Sequence, residues 1–106
     1  MTTKTSNKNS SYLVENTEAF TGSNMFGEWV TPTLYAVYSY GYHFPMHVYD
    51  VVAEAWISNC DKYSVSTSRQ QSQTRPNNVR YALTTNALKE LINLGGFNQY
   101  KLIREI

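Results

Sequence analysis

The sequence predicts an α+β fold: a small antiparallel β-meander of three to four strands with one C-terminal helix packed on it. Three observations carry that expectation. Residues 33–40 alternate with the period of a strand, placing Leu34, Ala36, Tyr38 and Tyr40 on one face and Tyr35, Val37 and Ser39 on the other. Further short apolar runs follow, each closed by turn residues. Near the end, Leu88, Leu91 and Ile92 recur at helical spacing and stop at Gly95-Gly96.

Taken in order, residues 1–11 are polar after Met1 and predict a disordered tail, with residues 12–106 as a single α+β domain. A short helical turn is expected after Asn16 or Thr17, with Glu18 near its positive end. Residues 21–24 (Thr-Gly-Ser-Asn) read as a turn, and residues 25–29 as a short apolar segment interrupted by Gly27. Thr31-Pro32 then punctuates the chain. The strand at 33–40 is apolar or aromatic on both faces, which predicts a central position. A second strand is expected at 44–49, with Phe44, Met46 and Val48 on one face. Pro45 cannot donate to a ladder, so that strand is either an edge or starts there.

Residues 52–58 predict a third strand anchored by Trp56 and Ile57, with helix as the competing reading. Residues 59–62 read as a turn and residues 63–67 as a fourth strand. Residues 68–78 are polar and end in Pro76-Asn77-Asn78, a breaker. Residues 81–83 are short and apolar. Thr84 and Thr85 offer an N-cap for a helix over about 86–94, and Phe97, Tyr100, Leu102, Ile103 and Ile106 form an apolar tail that should dock on the core.

Composition narrows the class. A chain of 106 residues with 42% hydrophobic content suits one folded domain. The nine tyrosines suit half-buried sheet faces, where one end of the ring is apolar and the other wet. Cys60 stands alone, which fits a reducing compartment. No signal-peptide pattern and no membrane-length apolar run is seen, so the expected location is cytoplasmic, with no membrane partner.

Charge is segregated although the net charge is only +1. Residues 9–61 hold six acids and no Lys or Arg, whereas residues 62–80 hold Lys62, Arg69, Arg75 and Arg80 and no acid. Such asymmetry can mark a polyanion-facing surface, but a solvated face is the simpler reading, since nucleic-acid footprints usually carry denser charge.

Candidate chemistry is sparse. His43 and His47 share a strand face about 13 Å apart, too far for one zinc ion without other ligands, and Asp50 lies three residues on. Cys60 has no CxxC partner, and no Gly-rich phosphate loop is present. No metal or cofactor is therefore expected. A metal-independent nuclease with His43 or His47 as base, near Lys62, Arg69 and Arg75, is the weakest of three readings. The first is a non-enzymatic protein that binds nucleic acid through Lys62, Arg69, Gln71, Arg75 and Arg80, since Arg forks and Gln amides suit phosphates and base edges. Residues 68–76 would be its displayed working surface. The second is a protein-interaction module, such as an inhibitor of a host enzyme. A tyrosine-rich edge strand also offers a route to a homodimer.

Residues 35–46 (Tyr-Ala-Val-Tyr-Ser-Tyr-Gly-Tyr-His-Phe-Pro-Met) and 61–76, beginning Asp-Lys-Tyr-Ser-Val-Ser-Thr-Ser-Arg, resemble a group of small uncharacterised proteins encoded by phages and other mobile elements. The likeness spans about half the chain, from Gly27 to Pro76. It implies an accessory role inside a cell and supplies no activity. The resemblance also implies a departure: members of that group commonly carry His where this chain has Gln70, and if that His were catalytic this chain would lack it, which weighs against the enzyme reading.

Overall fold

The computed structural model of the protein describes residues 3–4, 10–22, 24–42, 44–61, 71, 74, 76 and 79–104. Their seven strands form one sheet, side by side in chain order. These are β1 (Thr3–Lys4), β2 (Phe20–Thr21), β3 (Met25–Thr31), β4 (Leu34–Ser39), β5 (Pro45–Asp50), β6 (Ala55–Asn59) and β7 (Val79–Leu83). Helix α1 (Ser10–Glu15) lies between β1 and β2, and helices α2 (Thr85–Leu94) and α3 (Phe97–Arg104) follow β7.

The fold is α+β, but larger than the expected meander of three to four strands. β2 to β6 run antiparallel, and each edge adds a parallel pair, β1 with β2 and β6 with β7. Thr3 and Lys4, expected within a disordered tail, pair with Phe20 and Thr21. The fourth strand expected at 63–67 lies outside the described residues. No helix among them is long and apolar enough to cross a membrane.

β4 takes the central place its sequence predicts. All six of its residues are buried, because both faces of the sheet are covered. On one face Tyr35 and Val37 pack with Leu13 and Val14 of α1 and with Phe20, Met25 and Trp56. On the other, Leu34, Ala36 and Tyr38 pack with Leu88 and Leu91 of α2 and with Phe97 and Tyr100 of α3. Each large aliphatic side chain so buried contributes about 1.5–3 kcal/mol.

Two local departures have clear causes. Val37 faces His47 while Tyr38 faces Pro45, so Met46 is an extra residue in the ladder. This bulge breaks the expected alternation: Phe44 and Met46 join the α1 face, and Val48 goes to the other. The helical turn expected after Asn16 precedes it instead. α1 closes with Glu18 N donating to Leu13 O and Thr17 N to Val14 O, and Thr17 takes the left-handed position at φ 50°. That position usually holds Gly, so Thr there hides the helix end. α2 closes in the same way, this time with Gly95 at φ 96°, and Thr84 caps its start by accepting from Ala87 N.

The second helical cover is fastened by one carboxylate. Asp50 is 2% exposed. Its Oδ1 accepts from Val52 N (2.9 Å) and Ala53 N (3.1 Å), and its Oδ2 accepts from Phe97 N (2.6 Å). One side chain thereby shapes the β5–β6 turn and caps α3, where the helix dipole favours negative charge. Gly96 is required beside it, because a Cβ there would lie 2.9 Å from Asp50 Oδ2. At Gly95 a Cβ meets nothing within 4 Å, so only its positive φ resists substitution. Equilibrium urea unfolding should therefore show Asp50→Ala losing about 3 kcal/mol, since two turn amides and a helix amide lose a charged acceptor. Gly96→Ala should cost clearly more than Gly95→Ala, for which strain alone predicts ~1 kcal/mol.

Candidate functional site

A cleft of about 380 Å³ opens on the α1 side of the sheet. Three segments converge on it. The end of α1 contributes Glu15, Asn16 and Thr17; the β5–β6 hairpin contributes Tyr49, Glu54 and Trp56; β7 contributes Arg80. Tyr49 and Trp56 are directly opposed across the hairpin, and their ring centroids are 5.1 Å apart. Behind them Tyr35 meets Trp56 edge-on at 6.1 Å and Trp29 at 5.6 Å. Trp29 Nε1 donates to Thr17 O at 3.0 Å, and the Tyr35 hydroxyl donates to Glu18 O at 2.7 Å. The aromatic wall is thus tied to the α1 terminus and cannot shift independently of it. Burial, with Glu18 nearby, pushes the Tyr35 hydroxyl far above its ordinary range, so it stays a neutral donor.

Two rim residues hold an unfavourable backbone conformation. Thr17 (φ 50°) and Glu54 (φ 51°) are both left-handed. Such positions in residues other than Gly cost of order 1 kcal/mol or more and gather at functional sites. The lining carries both signs of charge, with Arg80, Glu15 and Glu54 among its residues. The Arg80 guanidinium also lies 5.7 Å from the centroid of the Tyr81 ring.

A buried polar chain joins β5, β6 and the long connection into β7. His47, 1% exposed, places Nε2 3.1 Å from Gln71 O and Nδ1 2.7 Å from Ser58 Oγ. A carbonyl can only accept, so Nε2 carries a proton toward Gln71 O, while Nδ1 and the Ser58 hydroxyl share the second bond. The Gln71 amide donates to Asn59 O and Asp61 O. Asn59 Nδ2 donates to Pro45 O and Thr85 Oγ1, and Asp61 Oδ2 accepts from Thr85 N at 2.7 Å. These bonds to Thr85 hold the Asp61 carboxyl below its ordinary range.

Of the residues expected to bind nucleic acid or a partner, Arg80 is exposed and on the cleft rim. Lys62, Arg69 and Arg75 lie outside the described residues, as does His43. Gln71 is corrected: it is 6% exposed and its amide serves the core, so it is not part of a displayed surface. Thr74 and Pro76 are buried as well, against the expectation for residues 68–76. His47 has both nitrogens engaged, and no open side from which to act as a base. Asp50 serves backbone amides rather than His47. Among the described residues no three His, Cys, Asp or Glu side chains group to hold a metal. Glu54, Tyr49 and Thr17 went unnoticed in the sequence. Their signal is the folded hairpin and the two strained turns, neither of which leaves a motif.

A second cleft, of about 360 Å³, lies near the β2–β3 edge beside Phe26, Glu28 and Tyr42. Tyr42 donates to both Glu28 oxygens (3.0 and 3.1 Å), and this bond raises its hydroxyl pKa. The neighbouring Tyr38 is pushed up to about 12, first by burial and then by Glu28. Tyr38, Tyr42 and Phe26 close around one another at 5.0–5.2 Å, leaving the apolar side of this cleft filled by its own rings.

No known protein family, curated protein or solved structure matches the chain.

Two measurements check this geometry. Glu54→Gly should raise the urea-unfolding free energy by ~1 kcal/mol, because glycine adopts the left-handed turn without strain. Asp61 should titrate below its ordinary value of 3.8 when its carboxyl carbon is followed by NMR. A depressed folded-state pKa means that its stabilising effect is complete at neutral pH and is lost as pH falls through that folded value. The same acid titration of Asp61→Asn should lack that component.

Proposed function

We propose that the protein is a non-enzymatic accessory protein that binds single-stranded nucleic acid, with the α1-side cleft as its base-contacting surface. The observation that carries this reading is the partly exposed Tyr49 ring, backed by the buried Trp56, in one cleft with Arg80. Proteins that hold unpaired strands combine aromatic faces, on which bases stack, with guanidinium or ammonium groups that track the phosphates. Arg80 is also the last of the four basic residues in the acid-free run 62–80. The resemblance to small phage and mobile-element proteins supports an accessory role within such a genome.

A second reading has its own support. Val51 and Val52 are exposed, Val52 by 63%, on the same turn as Glu54. An apolar turn beside two carboxylates suits the edge of a protein interface, such as that of an inhibitor against a host enzyme.

Fluorescence anisotropy with labelled single- and double-stranded oligonucleotides separates the two. Single strands should bind more tightly than duplex, with affinity falling steeply as salt rises. Arg80→Ala should reduce the salt slope by about one phosphate contact. Absence of binding, or binding indifferent to salt, would sink the nucleic-acid reading and leave the interface reading.

A further inference from the structure

We propose that the second cleft, near the β2–β3 edge, is a docking site for an arginine side chain of a protein partner. It is a different site from the α1-side cleft, and its assignment does not rest on the nucleic-acid reading. Among the described residues it is lined by Phe20, Thr21, Phe26, Gly27, Glu28 and Tyr42, around a volume of about 360 Å³.

The aromatic wall sets the shape of what can enter. Phe26 stacks on the buried Tyr38 at an interplanar angle of 25°, and Tyr42 stands at 72° to Phe26. Phe26 and Tyr42 thus form two sides of a corner, and Tyr42 is 62% exposed. The packed rings leave no apolar depth for a branched aliphatic group. A flat group lying against a ring face suits such a corner.

Glu28 fixes the sign of the ligand. It is half-buried on β3, and the Tyr42 hydroxyl, by donating to both of its oxygens, orients the carboxylate against the rings. A carboxylate has about four acceptor sites, so capacity remains after that one donor. Every lining residue comes from the stretch 9–61, which holds six acids and no Lys or Arg, so these elements bring no cation of their own to the cleft. An anion beside aromatic faces is complementary to a cation and repels phosphate, which selects a protein segment over nucleic acid. Guanidinium suits the corner better than ammonium. It is planar, stacks on rings, sheds water more readily, and carries donors along its edge for the remaining carboxylate sites.

The test follows the ring protons of Phe26 and Tyr42 by NMR in the full chain, during titration with capped Gly-Arg-Gly and with its citrulline and lysine analogues. Citrulline keeps the shape of arginine without the charge. The arginine peptide should shift both rings saturably and bind at least about fivefold more tightly than the citrulline peptide, the combined effect of a partly exposed cation–π contact and one ion pair. The lysine peptide should fall between them. Glu28→Gln should bring the arginine peptide down to the affinity of the citrulline peptide. Tyr42→Leu should weaken arginine by a similar factor, whereas Tyr42→Phe, which keeps the ring and the Glu28 charge, should preserve the preference for arginine over citrulline. A Glu28–Tyr42 pair that only braces the sheet predicts no such preference in the unaltered protein. Absence of a saturable shift, equal affinity for arginine and citrulline, or a preference that survives Glu28→Gln would overturn the site. Lysine binding as tightly as arginine would overturn the guanidinium assignment.

Discussion

The fold depends on a strand that cannot touch water on either side. β4 alternates Leu34, Ala36 and Tyr38 with Tyr35 and Val37, and neither set can be left exposed without a cost of several kcal/mol. A sheet with one wet face would not satisfy it. The chain answers with α1 on one face and the α2–α3 pair on the other. This also explains the parallel pairs at the two edges. A strand placed after a covering helix or a long connection returns to the sheet in the direction that connection dictates, whereas tight turns give only antiparallel neighbours.

Covers on opposite faces must be held in register with the sheet, and polar groups do this where apolar contact is non-directional. On the α2–α3 side, Asp50 binds its own hairpin turn and the first turn of α3, while Asp61 and Asn59 bind Thr85 at the start of α2. On the α1 side, the hydroxyl of Tyr35 and the indole of Trp29 bind the carbonyls that follow α1. Buried polar groups are costly unless paired, so each of these bonds excludes alternative placements of its helix more than it adds net stability. Gly27 belongs to the same scheme. Tyr35 and Phe20 occupy the space above it, so the aromatic wall closes against bare backbone.

Much of this was legible in the residues. The double-faced apolar pattern at 34–39 places β4 at the centre, Thr84 and Gly95 bracket α2, and Pro45 marks the start of β5. What was hidden had physical reasons. A bulge is one residue of register, invisible to a period-2 pattern, and it moved Val48 across the sheet. Thr17 stands where glycine would have announced a helix end. Gln71 looked like surface because Gln usually is; it is drawn inward because the β6 carbonyl of Asn59 and the carbonyl of Asp61 need a donor. Arg80 was recognised by charge alone, and its neighbours Tyr49 and Glu54 lie 31 and 26 positions upstream. Such a site is made by hairpin register and strand order, and no local spacing encodes it.

The segregation of charge along the chain takes on a different meaning in three dimensions. Read linearly, residues 9–61 carry acids without Lys or Arg and residues 62–80 carry bases without acids, as though two separate surfaces existed. The β6–β7 pairing cancels that separation, since it carries Arg80 beside a hairpin and a helix end from the acidic part. A groove lined by cations alone would hold any polyanion without discrimination. Among the described residues, this cleft instead sets Arg80 beside Glu15 and Glu54, so that both signs of charge meet there. Of the left-handed residues other than glycine among those described, Thr17 and Glu54 lie on this cleft, whereas Asn24 and Tyr40 lie elsewhere, Tyr40 directly after β4.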